Sequence, residues 1–131
     1  MKAIKIISLA SLLVSGAMAN EALMVNMSQM ENGLTNIQKG FLYNAPALIK
    51  SGVTEVKKAN ELFHSVDASK KYLPKEKQHM GNVAFNAAKK IDTAAAELLK
   101  ALDKKEYNKA SHSYSDMMNA CTACHAVVRG W

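Results

Sequence analysis

Four stretches of the chain carry apolar residues at alternating steps of four and three. The first runs Leu23, Met27, Met30, Leu34, Ile37, Phe41, and the second Ile49, Val53, Val56, Asn60, Phe63, with one polar member. The third runs Met80, Ala84, Ala87, Ile91, Ala94, Leu98, Ala101, and the last Tyr107, Ala110, Tyr114, Met117, Cys121, Cys124, Val128. Steps of this kind draw one apolar stripe along an otherwise polar helix. No stretch alternates with period two over a strand's length, so the expected fold class is all-α. Pro46 and Pro74, the only prolines, fall between stripes where helices would break. Short links between helices of similar length imply antiparallel neighbours, hence an up-down-up-down four-helix bundle. "YNAP" joins the first two helices, and "HSVDASKKYLP" is the longest link. Asp103, with Glu106 three residues on, resembles a capping box opening the last helix. Gly33, Gly40, Gly52 and Gly81 lie in or beside helices, where a glycine costs roughly 1 kcal/mol relative to alanine. Either the helices pack closely there, or the seam leaves room for a large group.

The chain of 131 residues opens "MKAIKIISLASLLVSGAMAN". Lys2 and Lys5 make a positive start, Ile6 to Val14 a short apolar run, and Ala17-Met18-Ala19 a small-x-small cleavage site. The expectation is a signal peptide over 1–19, removed to leave one domain over 20–131. The apolar run is short of the roughly 20 residues a membrane-spanning helix needs, and no later segment supplies them. Stable membrane insertion is therefore not expected, and the periplasm is the expected location. The formal charge is +6 with lysines spread along the chain. There is no dense basic block with interleaved aromatics, hence no nucleic-acid signal. A scattered excess of this kind serves solubility and also suits an acidic redox partner.

The chemistry concentrates in "DMMNACTACHAVVRGW", residues 116 to 131, which holds both cysteines and His125. On a helix Cys121 and Cys124 share a face, and His125 stands one turn after Cys121. Covalent haem attachment needs this arrangement: two thiols add to the two vinyl groups on one porphyrin edge, and the adjacent imidazole reaches the iron. Tetrahedral zinc wants four ligands and finds no second spaced pair here. A thioredoxin-type pair expects a preceding strand. A disulfide between residues three apart in a regular helix is awkward and has no use for His125. The expected cofactor is one covalent haem c. An exported helical dithiol protein without haem is the alternative that these residues leave open. No acid/base pair or nucleophile constellation stands at recognisable spacing, so an enzyme is not expected.

The chain resembles the cytochrome c′ family, the four-helix-bundle class of c-type cytochromes. The attachment motif lies near the C-terminus in the last helix, it runs "CTACHAVVR" with a basic residue four after the histidine, and the helical pattern covers nearly the whole of 20–131. The resemblance implies His125 as proximal iron ligand and places Arg129 near the proximal side of the haem. It implies that the first helix crosses the distal side, with Met27 at the distal position and Met30 one turn further, near the ring edge. A methionine thioether there gives six-coordinate, low-spin iron suited to electron transfer with periplasmic redox proteins. An aliphatic group there gives the high-spin alternative, which binds NO or CO. The same resemblance makes a homodimer through the first two helices an expectation. His64, His79 and His112 are expected at the surface.

Overall fold

A computed structural model describes residues 10–130, with side chains from residue 20 onward. The described residues form five α-helices: α1 (Ala10–Leu42), α2 (Pro46–Asn60), α3 (Val66–Tyr72), α4 (Gly81–Asp103) and α5 (Tyr107–Arg129). Short 3₁₀ turns occupy Glu61–Phe63 and Lys75–Met80, and no strand occurs among the described residues. The all-α expectation therefore holds. No described helix is long and apolar enough to cross a membrane. Helix α1 begins at Ala10 and runs through the expected cleavage site after Ala19. The first nine residues of the expected signal peptide lie outside the described residues.

The expected four helices become five because the longest link folds. Ser65 ends the 3₁₀ turn in an extended conformation, and its hydroxyl accepts the Ala68 N–H at 3.0 Å, capping α3. Asp67 in the first turn and Lys70 and Lys71 in the last match the helix dipole. Ser69 and Leu73 are buried beneath the segment, and the Ser69 hydroxyl is satisfied against the Ser65 carbonyl at 2.8 Å.

The helix ends follow from local chemistry. Pro46 stands at the start of α2, where a missing N–H removes no intrahelical bond. Helix α4 ends in a left-handed residue, Lys105 at φ 59°, with the Glu106 N–H on the Ala101 carbonyl at 2.9 Å and the Lys105 N–H on the Leu102 carbonyl at 2.9 Å. This is the Schellman pattern. The capping box expected of Asp103 and Glu106 does not form. Asp103 is the last residue of α4, and its carboxylate accepts from Lys50 Nζ at 2.7 Å. Glu106 precedes α5 without capping it and pairs with Lys109 at 3.0 Å.

Helix α1 packs along α2, and α4 along α5; α2 and α3 join the two pairs through α4. The helix glycines serve close approach, so they do not leave room for a large group. A Cβ on Gly33 would stand 2.7 Å from the Gly52 carbonyl oxygen, and one on Gly40 would stand 2.8 Å from the Ile49 nitrogen. A Cβ on Gly81 would stand 2.8 Å from the Val66 carbonyl oxygen.

The core divides in two. One cluster gathers Ile37, Ile49, Val53, Val56, Ile91, Leu98, Ala110 and Met117, with Tyr114 and Cys121 at its edge. The other gathers Met30, Ala59, Phe63, Leu73, Ala84 and Ala88, with Leu23, Met27, Met80, Cys124 and Val128 at its edge. The division falls between Met30 and Leu34 in α1, between Val56 and Ala59 in α2, between Ala88 and Ile91 in α4, and between Cys121 and Cys124 in α5.

Candidate functional site

Helix α5 carries Cys121, Cys124 and His125 on one half-buried face. The face exists because Ala110, Met117 and Ala120 anchor the preceding turns in the core. Both cysteines are free thiols. Burial, and secondarily the Cys124 thiol nearby, push the Cys121 thiol up to about 11. Burial alone pushes Cys124 in the same direction. Buried, protonated thiols of this kind are poor spontaneous nucleophiles. Burial lowers the His125 imidazole, and the Arg129 guanidinium one turn on lowers it further, so the neutral, metal-ligating form is favoured. Arg129 itself is exposed in the last turn of α5. The helix closes on Gly130 at φ 72°, whose N–H donates to the Ala126 carbonyl at 3.2 Å.

Met30 is buried and Met27 half-buried, both in the cluster that includes Cys124 and Val128. Their helix, α1, makes scarcely any close backbone approach to α5. The two helices therefore reach one apolar cluster through side chains rather than by packing on each other. Met117 is fully buried, and Tyr114 packs on Phe41 with ring centroids 6.2 Å apart, both beside Cys121 in the other cluster. Burial raises the Tyr114 phenol, and the neighbouring Cys121 adds to it.

Among the described residues no three His, Cys, Asp or Glu side chains gather as a metal-ion cluster. Cys121, Cys124 and His125 accordingly do not converge on one point as three ligands of an ion. A concavity of about 810 Å³ is an open groove between α4 and α5, with Ala94, Ala120 and Ala123 in its lining. Its lining includes Ala123 of the motif but neither thiol nor His125.

His79 and His112 are exposed. His64 is exposed too, but its Nε2 lies 2.9 Å from Asp92 Oδ2. Asp92 Oδ1 in turn accepts from Asn60 Nδ2 at 3.0 Å. Sequence reasoning missed this set, though Asn60 stood out as the polar member of its stripe. No family model, curated protein or solved structure matches the chain.

Proposed function

We propose that the chain is a periplasmic c-type cytochrome carrying one haem c on Cys121 and Cys124, with His125 as proximal ligand, and that it works in electron transfer. The observation that carries this reading is the half-buried α5 face, on which two free thiols neighbour one another and an imidazole held towards its neutral form stands one turn from Cys121. The donor set fits a group that brings its own equatorial ligands, needs two thiol anchors and asks the protein for one axial nitrogen. When bound, the haem supplies a one-electron iron couple. The residues of this chain anchor, orient and shield it. Cys121 and Cys124 would fix one ring edge to α5, and Arg129 would add positive potential on the proximal side.

Met27 and Met30 are the candidates for the opposite face of the iron. Their membership of the same apolar cluster as Cys124 supports α1 as the source of a sixth ligand. An antiparallel arrangement of α1 and α2 is supported by the order of their contacts: Gly33 meets Gly52 and Val56, while Gly40 meets Ile49. Export rests on the signal-like residues 1–19. A redox protein of the same compartment is the partner this reading calls for.

Two measurements test the reading. Haem staining after denaturing electrophoresis under reducing conditions detects thioether-bound haem; an unstained band from cells competent in cytochrome maturation sinks it. The reduced absorption spectrum then separates the branches. A sharp α-band unaffected by CO supports the low-spin carrier. A broad Soret band that shifts with CO supports the high-spin gas-binding form.

A further inference from the structure

We infer that the Asn60 side-chain oxygen is the seat of one internal hydrogen-bond donor, a single ordered water molecule, between α2 and α4. Asn60 is fully buried. Its amide nitrogen donates to the Ala88 carbonyl at 2.9 Å and to Asp92 Oδ1 at 3.0 Å. Both amide hydrogens are thereby used. Turning the amide over would set Oδ1 against two acceptors, so the network itself fixes its orientation. Asp92 is held in turn, because its other oxygen lies 2.9 Å from His64 Nε2.

That orientation directs Oδ1 away from Ala88 and Asp92, and no protein donor among the described residues reaches it. A buried carbonyl left without a donor costs about 1–3 kcal/mol. Ordered water is a common way in which protein interiors meet that cost. The seat is acceptor-only, so it rejects anions and carbonyl groups and admits a donor. The neighbouring positions on the two helices, Ala59 and Ala88, are small and buried, which suits an occupant the size of one water. Asn60 directly follows Ala59, the first α2 residue of the second core cluster, to which Cys124 but not Cys121 is adjacent. The inference does not depend on what those thiols carry.

The test is a crystal structure of the purified full protein at a resolution of about 1.2 Å, where ordered water is resolved. The expected result is a water oxygen about 2.7–3.2 Å from Asn60 Oδ1, and loss of that water in Asn60→Leu. A protein donor on Oδ1, such as a thiol or a backbone N–H, overturns the inference, as does a shell of carbon atoms alone. A solution measurement on the wild-type protein covers the case in which Asn60→Leu fails to fold. There a direct cross-relaxation peak between water and the Asn60 amide hydrogens is expected, and its absence once the amide is assigned counts against the site.

Discussion

Gly33 of α1 and Gly52 of α2 face each other so closely that a Cβ on Gly33 would stand 2.7 Å from the Gly52 carbonyl oxygen. The obstacle is backbone, which cannot rotate aside as a side chain can. Gly33→Ala and Gly52→Ala should each destabilise the protein by about 1–3 kcal/mol through overpacking. Urea unfolding followed by circular dichroism measures this. A midpoint unchanged in both variants would mean that α1 and α2 sit farther apart.

Replacing Cys121 or Cys124 with alanine removes one of the two proposed anchors. Either single variant should mature with much less haem, and the double variant with none that survives denaturation. Haem stain per unit of protein is the readout. Wild-type staining in the double variant would exclude attachment through this motif.

Met27 and Met30 separate by burial. Met30 is buried and Met27 half-buried, so Met30→Ala should cost about 2–5 kcal/mol of stability as a core truncation and Met27→Ala less. The spectrum is the independent readout of ligation. Met27→Ala should broaden the reduced spectrum and create CO binding. The same change in Met30→Ala alone moves the ligand one turn along the helix.

In the haem-free chain the Cys121 thiol is pushed up to about 11 from an ordinary 9.0. The fold holds the proton more tightly than the unfolded chain does, so the thiolate is the disfavoured form. This contribution to stability is complete below pH 9 and is lost as the pH rises towards about 11. Alkylation of Cys121 in the folded, reduced, haem-free protein should therefore be slow at pH 8 and accelerate towards pH 11. Equal rates in the folded chain and in urea at pH 8 would show an unburied thiol.

Ser65→Ala removes the hydroxyl that caps α3 and should cost about 1 kcal/mol. Ser65→Asp should retain most of the stability, since a carboxylate accepts the same N–H. Thermal melts of the two variants distinguish capping from mere burial.

The long helices were legible because their stripes are real: Ile49, Val53, Val56, Asn60 and Phe63 are all buried. Helix α3 was not, since seven residues are too few to display a period. Its signals were Ser65 and the charges at its two ends, and a cap is easily passed over inside a link. The box of Asp103 and Glu106 misled because the motif is local, while Asp103 answers to Lys50 from another helix. The glycines were ambiguous in sequence because whether a missing side chain admits a neighbouring backbone or a cofactor depends on helix pairing. At the candidate site, the shared helix face of Cys121, Cys124 and His125 was legible from spacing alone. The link from Asn60 through Asp92 to His64 joins α2, α4 and the bend before α3, and only the folded chain brings those residues together.

The split in the core sets an order to how the molecule opens. Around the turns that join α1 to α2 and α4 to α5, the seams are closed by fully buried side chains such as Ile37, Val53 and Leu98. The other half is closed by a smaller buried set, Met30, Ala59, Phe63, Leu73, Ala84 and Ala88, with half-buried Leu23, Met27 and Val128 at its edge. Amide hydrogens of the first half should outlast those of the second in exchange with solvent. Helix α5 crosses from one regime to the other, rooted at Ala110 and Met117 and looser from Cys124 onward. Opening of the smaller cluster should thus uncover Cys124 before Cys121, while the far end remains folded.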